Sequence, residues 1–375
     1  MTATIAMCRI DGNFGGVERH LLSVAQGLDR VRYRPLVIPI THRAELLRQA
    51  EEAHFTTRFL PMKSRWRVKT AAKRLLYILR DENAALVHSF GVRSNLLVWR
   101  ARQMGLEIPW VIRVPNLNRT DYGNAWQGRF FQWLNDWLLR QADAVQVISP
   151  PLEDYVRGLR PPPKRVVCIP NGVDTDFFSP PIDRSIAKQA LGLPTGALVL
   201  GSAGRLAPIK GFDLLLDAFA QVCGEFDNAH LILAGQGPEA FRLSEQAKQL
   251  GISDRVRFTG YCADVRPFFS AMDIYVCSSH SEGVPNAMLE AMAMGAPVVS
   301  SRVGGIPSVL EHGREGHLLE SLDSNQLAHT MLQLARDEDQ RKRMGEAARR
   351  RIETQYAQIR MIEQIEALYE ELVNQ

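Results

Sequence analysis

The sequence lacks any apolar run that approaches the roughly 20 residues needed to cross a bilayer. Its first residues also lack the basic start and long apolar core of a signal peptide. We therefore expect a cytoplasmic protein. With 375 residues, 46% of them apolar and 23% charged, the chain has the composition of a soluble globular protein and is long enough for two domains.

Cysteine is scarce as well. The five cysteines, at positions 8, 168, 223, 262 and 277, are scattered, and none belongs to a Cys-x-x-Cys pair. This distribution argues against a zinc ribbon and against a disulfide framework. Cys8, Cys168 and Cys277 lie in apolar runs typical of strands, where a thiol packs as a small core residue.

The charge is small overall but unevenly distributed. Residues 1–170 carry 26 Lys and Arg against 14 Asp and Glu, whereas residues 171–375 carry 19 against 27. The basic first half is therefore expected to face something anionic, such as phospholipid head groups, a phosphate-bearing acceptor or nucleic acid.

Short apolar runs alternate with helical patterns in both halves, which indicates an α/β fold with parallel sheets. Helices are predicted, for example, at Val17–Leu28 and Val68–Leu79. The predicted strands are Thr4–Arg9, Pro35–Ile40, Ala85–His88, Trp110–Val114 and Ala144–Ile148, then Leu198–Ala203, His230–Ala234, Val256–Phe258, Ile274–Cys277 and Pro297–Ser300.

Between the halves, Pro161–Pro163, Asn171-Gly172 and Ser179–Pro181 are rich in residues that break regular structure, which predicts a linker near 165–185. The final stretch, Ile359–Leu372, is predicted to be a helix whose apolar stripe needs a partner surface.

Four motifs follow predicted strands of the second half, where ligands bind in sheets of this kind. The segment 204–211, GRLAPIKG, supplies two cations, Arg205 and Lys210, on a glycine-bounded loop. Arginine can grip a phosphate with two hydrogen bonds and lysine can act as a point charge, although two surface cations would look the same. Gly235 and Gly237 would let backbone approach a ligand or would simply form a turn, and the same holds for the turn Gly304–Pro307.

The most specific motif is the segment 281–290, SEGVPNAMLE. Pro285 suits the first turn of a helix, which places Glu282 on the loop before it and Glu290 in its second turn. A carboxylate can accept two hydrogen bonds from a sugar diol, and a helix N-terminus favours a phosphate. Two solvated glutamates at an ordinary helix start are the less specific interpretation.

Together these segments resemble the retaining glycosyltransferases of family 4, which have the GT-B fold. The order and spacing of the motifs carry the resemblance, which also reaches the first half and is loose only between residues 40 and 140. The matching segments are Gly15–Arg19, Asn171–Asp174, Gly204–Gly211, Gly235–Pro238, Glu282 with Glu290, and Gly295–Val299.

The resemblance implies two Rossmann-like domains facing each other across a cleft. Residues 1–170, with a helix at about 359–375 crossing back, would form the acceptor-side domain, and residues 171–358 would bind the nucleotide-sugar. Arg205 and Lys210 would neutralise the diphosphate, Glu282 would hold the donor sugar, and Glu290 would hold the ribose. The donor-binding set is completed by Gly15, Gly16, Gly235, Gly237, Gly283, Val284, Pro285, Asn286 and Leu289.

No metal or other cofactor is expected. A metal-binding Asp-x-Asp pair is matched only by Asp174 and Asp176 in the predicted linker, and fixed cations with a helix N-terminus can replace the metal. The expected reaction is retaining transfer from a nucleotide diphosphate sugar, with a UDP-sugar favoured over GDP-mannose. The product would belong to cell-surface polysaccharide or glycolipid synthesis.

The acceptor, a glycan or a lipid-linked sugar, is expected to meet the first domain. His88 ends its predicted strand, and the family often carries a second histidine two residues later. This chain has Phe90 at that position. Cations around Trp66 in the segment 62–69 could rest on the inner face of an anionic membrane or could be a solvated helix face. The acceptor-side candidates are His88, Arg113, Asn116, Asn118, Arg119 and the aromatic stretch Trp126–Trp137.

Other functions remain open at this point. A nucleic-acid binder would fit the basic first half but would leave Glu282 and Glu290 unexplained. A sugar-nucleotide epimerase would keep the fold, whereas a phosphorylase would need a pyridoxal-binding lysine, for which no motif is present. A catalytically impaired partner subunit is mildly favoured by Phe90.

Overall fold

The computed structural model describes residues 2–10, 15–40, 45–61, 68–117, 125–180, 183–262 and 264–374. The chain divides into two compact units. Unit 1 comprises Met1–Asn171 and Gln358–Gln375, and unit 2 comprises Gly172–Ala357.

Unit 1 is built on a parallel sheet of seven strands with the order β3-β2-β1-β4-β5-β6-β7. Its strands are β1 (Ala3–Arg9), β2 (Tyr33–Pro39), β3 (Thr56–Thr57), β4 (Ala84–Phe90), β5 (Trp110–Val114), β6 (Ala144–Val147) and β7 (Val166–Cys168). The helices that accompany them are α1 (Gly16–Gly27), α2 (Glu45–Glu52), α3 (Val68–Asp81), α4 (Val92–Arg102), α5 (Ala125–Leu139) and α6 (Pro150–Arg157).

Unit 2 repeats this plan with six parallel strands in the order β10-β9-β8-β11-β12-β13. Its strands are β8 (Leu198–Ala203), β9 (Ala229–Ala234), β10 (Val256–Gly260), β11 (Ile274–Cys277), β12 (Val298–Ser301) and β13 (Gly316–Leu319). Its helices are α7 (Arg184–Ala190), α8 (Phe212–Cys223), α9 (Ala240–Gln249), α10 (Arg266–Ser270), α11 (Asn286–Ala293), α12 (Ile306–Val309), α13 (Ser324–Arg336) and α14 (Glu338–Gln355), with a 3₁₀ turn at Pro208–Lys210.

The strands form because they are short, nearly continuous apolar runs that helices cover on both faces. Every residue of β5 and β11 is buried, for example. The last helix, α15 (Gln358–Val373), contacts α1 and β4 and adds its apolar stripe to the core of unit 1. The buried stripe consists of Met361, Ile362, Ile365, Leu368, Tyr369 and Leu372.

The predicted α/β fold with two parallel, Rossmann-like sheets is confirmed. Three short strands, β3, β7 and β13, were not predicted. One of them, β7, lies inside the predicted linker near 165–185. Its three residues pair only with β6 at the edge of the sheet, so the local sequence carries little pattern. The same edge position leaves Cys168 half-buried rather than in the core, whereas Cys8 and Cys277 are buried as predicted.

Candidate functional site

The strand order of unit 2 reverses direction between β8 and β11, so the loops that follow these two strands leave the sheet on opposite sides and open a crevice. Lys210 lies on the loop after β8 and Glu282 on the loop after β11. Their side chains meet, and Lys210 Nζ forms an ion pair with Glu282 Oε1. The topology therefore brings together two of the residues that the sequence selected.

Glu282 is held from a second side. The Ser279 hydroxyl donates a hydrogen bond of 2.7 Å to the same oxygen, Oε1. The glutamate side chain is 11% exposed, and no residue in the described part of the chain donates to its other oxygen, Oε2. Glu282 is thus oriented by Lys210 and Ser279 while one carboxylate oxygen stays available to a ligand.

Helix α11 places the second glutamate. Pro285 is its N-terminal cap residue, with extended backbone, and Glu290 follows in the second turn. Burial raises the pKa of the Tyr275 phenol well above its ordinary value, and the charges of Cys277, Glu282 and Glu290 raise it further. Glu282 and Glu290 thus both contribute to the raised pKa of Tyr275.

The glycines after β8 and β9 are required by contact between the two loops. A Cβ on Gly235, which has φ +138°, would lie 1.8 Å from the carbonyl oxygen of Gly204. A Cβ on Gly237 would lie 2.1 Å from that of Leu206, and Leu206 N–H donates to Gln236 O at 3.0 Å. Close packing of neighbouring loops explains these two glycines without a ligand.

Two further contacts join the loops that carry the charged pair. Gly211, at φ +60°, leaves room for the carbonyl oxygen of Ser278, which a Cβ would approach to 2.1 Å. Gly304, at φ +54°, leaves room for the carbonyl oxygen of Glu282, which a Cβ would approach to 1.7 Å. Next to it, Gly305 N–H donates to Gly283 O at 2.7 Å. Backbone contacts therefore fix the loops under Lys210 and Glu282.

The remaining predicted donor residues differ in how far a ligand can reach them. Arg205 is exposed, and its side chain has no hydrogen-bond partner among the described residues. Val284 and Pro285 are buried and Asn286 is half-buried. Leu289, also predicted among the donor-binding residues, faces the interior from α11, and its side chain is fully buried.

In unit 1, Gly15 and Gly16 form the beginning of α1. The buried Glu18 carboxylate accepts a hydrogen bond from Gly15 N–H at 3.0 Å and pairs with Arg9 Nε at 2.6 Å. Arg9 in turn donates to Phe90 O at 3.0 Å, which ties α1 to β1 and β4. Since Gly15 N–H is already engaged, that glycine would serve a ligand by its small size.

The acceptor-side candidates are more buried than the sequence suggested. His88 is fully buried, its Nδ1 lies 2.7 Å from the Tyr369 hydroxyl, and its ring stacks on Phe90 with centroids 4.4 Å apart. Arg113 is 3% exposed. Asn116 Oδ1 accepts from Leu117 N–H, whereas Asn118 and Arg119 lie outside the described residues.

The Asp-x-Asp segment has a local role. Asp174 Oδ1 accepts hydrogen bonds from the backbone N–H groups of Asp176 and Phe177, at 3.1 and 2.9 Å, and so stabilises a turn. Among the described residues, no group of three or more His, Cys, Asp or Glu side chains is placed to hold a metal ion.

Sequence reasoning missed Ser279, and it named Gly211 and Gly304 without the backbone contacts that require glycine there. Two adjacent serines, Ser278 and Ser279, follow β11 and could have indicated this role, since a hydroxyl at a strand end can orient a neighbouring carboxylate.

Comparisons with known proteins identify the family of the chain. The family described as "Glycosyl transferase 4-like domain" matches residues 15–172, and that described as "Glycosyl transferases group 1" matches residues 183–351. The chain is 29% identical over 299 residues to N-acetyl-alpha-D-glucosaminyl L-malate synthase of Bacillus anthracis, covering 80% of this chain and 77% of that protein. It is 30% identical over 297 residues to D-inositol 3-phosphate glycosyltransferase of Corynebacterium jeikeium, covering 73% and 70%.

The fold also matches a solved structure. HepE from Anabaena, in complex with UDP and glucose, aligns with a TM-score of 0.85 at 22% identity, covering 97% of this chain and 98% of that one. With the two matched families and the identity to the Corynebacterium enzyme, the chain belongs to the group 1 glycosyltransferases and has the GT-B fold.

Proposed function

We propose that the chain transfers a sugar, with retention and without a metal, from a UDP-sugar to a glycan or lipid-linked acceptor in cell-surface polysaccharide or glycolipid synthesis. The observation that carries the proposal is the Lys210–Glu282 pair at the point where the sheet of unit 2 reverses direction. This pair puts a cation for a leaving phosphate beside a carboxylate for sugar hydroxyls.

The diphosphate would bind at the cationic side of the crevice. The Lys210 ammonium has three N–H donors, so it can hold Glu282 and a phosphate oxygen together. The exposed Arg205 guanidinium can take a second phosphate oxygen with two parallel hydrogen bonds. Fixed cations that stabilise the charge on the leaving diphosphate supply what a metal would supply.

Metal independence has a direct test. Initial rates with the donor should be unchanged after extensive EDTA treatment, because Lys210 and Arg205 carry the charge. Loss of activity with EDTA and its recovery with Mg²⁺ or Mn²⁺ would show that this part of the proposal is wrong.

The donor sugar and the ribose would bind at the acidic side. Glu282 Oε2 can accept hydrogen bonds from sugar hydroxyls while Ser279 and Lys210 orient the carboxylate. Glu290, in the second turn of α11, would bind the ribose diol. Support for UDP comes from HepE, which was crystallised with UDP and glucose.

A panel of nucleotide-sugars tests the donor by thermal shift. A UDP-sugar should raise the melting temperature, since a ligand at 100 times its Kd stabilises by about 2.7 kcal/mol. The Glu290→Gln variant should lose most of that shift, while Glu245→Gln, on α9, should keep it. Stabilisation by GDP-mannose alone would overturn the choice of UDP, and no shift with any donor would overturn the function.

Retention rests on the resemblance to family 4, in which the leaving phosphate takes the acceptor proton on the same face. The anomeric proton coupling constant of the newly formed linkage, measured by NMR on the product, reports this configuration. The same anomeric configuration in donor and product is expected, and the opposite configuration would contradict retention.

A lipid-linked acceptor would bring the enzyme to a membrane, and unit 1 has a surface suited to it. Helices α3 and α5 both pack on α4. Helix α5 exposes Trp126, Phe130 and Trp133 at helical spacing. Helix α3 exposes the cations Lys69, Lys73, Arg74 and Arg80 beside Tyr77. Aromatic rings together with cations suit an anionic bilayer surface. The predicted segment 62–67 lies outside the described residues.

Within the described part of the chain, no helix combines the length and apolarity that a membrane crossing needs. Surface binding would therefore be measured by sedimentation with vesicles of about 30% anionic phospholipid at low salt. Replacing Trp126 and Trp133 by serine should release the protein, whereas Phe241→Ser, at an exposed aromatic of unit 2, should not. Equal recovery in the supernatant with and without vesicles would contradict membrane association.

A further inference from the structure

Unit 1 buries a polar cluster near the carboxyl ends of β4, β5 and β6. It consists of His20 on α1, His88 on β4, Arg113 on β5, Gln146 on β6 and Ser149 immediately after β6; we call it the Arg113 cluster. Arg113 is 3% and His20 4% exposed, and the other three are fully buried. Arg113 and Gln146 are partners in the β5–β6 register, so their side chains leave the sheet on the same face.

Most of the polar atoms in this cluster lack hydrogen bonds within the described part of the chain. Arg113 Nη2 donates to Asn171 Oδ1 at 2.5 Å, but its Nε and Nη1 atoms are buried without a partner among the described residues. The same is true of His20 Nε2, His88 Nε2, both amide atoms of Gln146 and the Ser149 hydroxyl. Buried polar groups are almost always paired in native proteins, so this concentration of unpaired groups points to a missing ligand.

The cluster also lacks negative charge. No described carboxylate forms an ion pair with Arg113, and the Glu18 carboxylate is already paired with Arg9. Burial, followed by the charge of Arg9, lowers the pKa of Arg113 to about 9. Burial, followed by the charge of Arg113, also lowers the pKa values of His20 and His88. A buried, unpaired guanidinium is costly unless an anion compensates it.

We propose that the Arg113 cluster binds a phosphate or carboxylate group carried by the sugar acceptor. The unpaired Arg113 Nη1 can donate a hydrogen bond to an oxygen of the anion. Ser149 is the residue before α6, and its side chain makes no cap hydrogen bond, so its hydroxyl can donate as well.

The assignment to the acceptor rests on the proposed function. Under that proposal the donor diphosphate has its own cations, Arg205 and Lys210, both in unit 2. The Arg113 cluster lies in the half of the chain that carries 26 Lys and Arg against 14 Asp and Glu, which favours approach of a second, anionic substrate.

Gln146→Glu tests the proposal because it builds a carboxylate beside Arg113 without changing side-chain size. Inorganic phosphate is titrated into the full chain with saturating UDP present, against chloride of equal ionic strength. Wild-type protein should gain about 2–4 °C in melting temperature once phosphate exceeds its Kd about tenfold. The variant should melt at a higher temperature without phosphate, lose the phosphate shift and keep the UDP shift.

Two further variants make the test specific. Gln103→Glu adds the same charge at an exposed position of unit 1 and should leave both shifts unchanged. Ser149→Ala, which removes one donor, should weaken phosphate binding by about threefold to tenfold and so tests the site even if Gln146→Glu does not fold. Absence of a phosphate shift in wild-type protein, or its persistence in both cluster variants, would overturn the site.

Loss of the UDP shift in Gln146→Glu would assign the anion to the donor and overturn the acceptor assignment. The proposed function fails separately, by the absence of any nucleotide-sugar shift in wild-type protein. The two failures are therefore distinguishable.

Discussion

The two units carry sheets of the same strand order but place charge differently where that order reverses. In unit 2, Lys210 and Glu282 neutralise each other with side chains that are 23% and 11% exposed. In unit 1, Arg113 and His88 are buried, and no described carboxylate pairs with Arg113. The same backbone plan thus supports a compensated, accessible pair in one unit and an uncompensated, enclosed cluster in the other.

The difference shows how one fold can serve two substrates. An accessible ion pair can exchange part of its contact for a ligand at little cost, because water and the partner already compensate each charge. An enclosed cation without a partner gains more from an anion, because its charge is otherwise poorly solvated. We therefore expect the unit 2 pair to matter for catalysis and the unit 1 cluster to matter for stability and acceptor binding.

The largest effect is expected from Lys210→Ala. It should lower kcat by about 10²–10³-fold, because the leaving diphosphate loses its nearest fixed cation in the transition state. Steady-state rates with the best donor from the thermal-shift panel measure this effect.

Lys248→Ala is the matched control, since Lys248 pairs with Glu245 on the surface of the same unit. It should leave kcat unchanged. A Lys210→Ala enzyme with nearly normal turnover would mean that the Lys210–Glu282 pair is structural, and the proposed contrast between the units would disappear.

The next effect concerns the loops under the pair. Gly304→Ala places a methyl group 1.7 Å from the Glu282 carbonyl oxygen and also strains the backbone at φ +54°. Gly313→Ala is matched in strain, with φ +84°, but its Cβ meets nothing within 4 Å. Gly313→Ala should cost about 1–2 kcal/mol of unfolding free energy. Gly304→Ala should cost more and should also weaken donor binding, as denaturant unfolding and donor titration can show. Equal losses of unfolding free energy in both variants would show that the contact between Gly304 and the Glu282 carbonyl oxygen does not contribute to stability.

These glycines show what a single sequence can and cannot predict. The strands β8 and β11 were predicted at their observed bounds because they are apolar runs between clear turn signals. Lys210 and Glu282 were selected from their loops because their chemistry and spacing are local. The reasons for Gly235 and Gly304 could not be predicted, because each depends on the backbone of another loop.

Unit 1 was harder to predict for the same reason. Arg113 and His88 were selected as acceptor-side residues, but His88 is covered by Tyr369 of α15, which comes from the opposite end of the chain. Gln146 and Ser149 were not selected at all, since a polar residue in an apolar strand gives no sign of which groups it will face.

A smaller effect is expected from pH. Burial, followed by the charge of Arg113, lowers the pKa of His88 from 6.5 to about 3 in the folded chain. Below pH 6.5 the unfolded chain therefore binds a proton that folded His88 does not, so stability falls as pH falls toward 3. Between pH 6.5 and 5, His88 should account for about 1–2 kcal/mol of lost unfolding free energy.

Denaturant unfolding at pH 6.5 and pH 5 measures this loss. His88→Gln should show a smaller decrease than wild-type protein, whereas His329→Gln, at an exposed histidine of unit 2, should behave like wild type. An identical pH dependence in all three proteins would show that the buried His88 does not cause the loss of stability at low pH.

The smallest effect separates two adjacent serines. Ser279 donates to the Glu282 carboxylate at 2.7 Å, whereas Ser278 donates to the Lys210 carbonyl oxygen at 3.0 Å. Ser279→Ala should lower kcat/KM about threefold to tenfold with little change in melting temperature, because a positioning hydrogen bond is lost where the site stays half-accessible. Ser278→Ala should lower the melting temperature more than kcat/KM, because its hydroxyl holds loop backbone. If the two variants instead lost stability and activity in the same proportion, orientation of Glu282 could not be separated from packing of its loop.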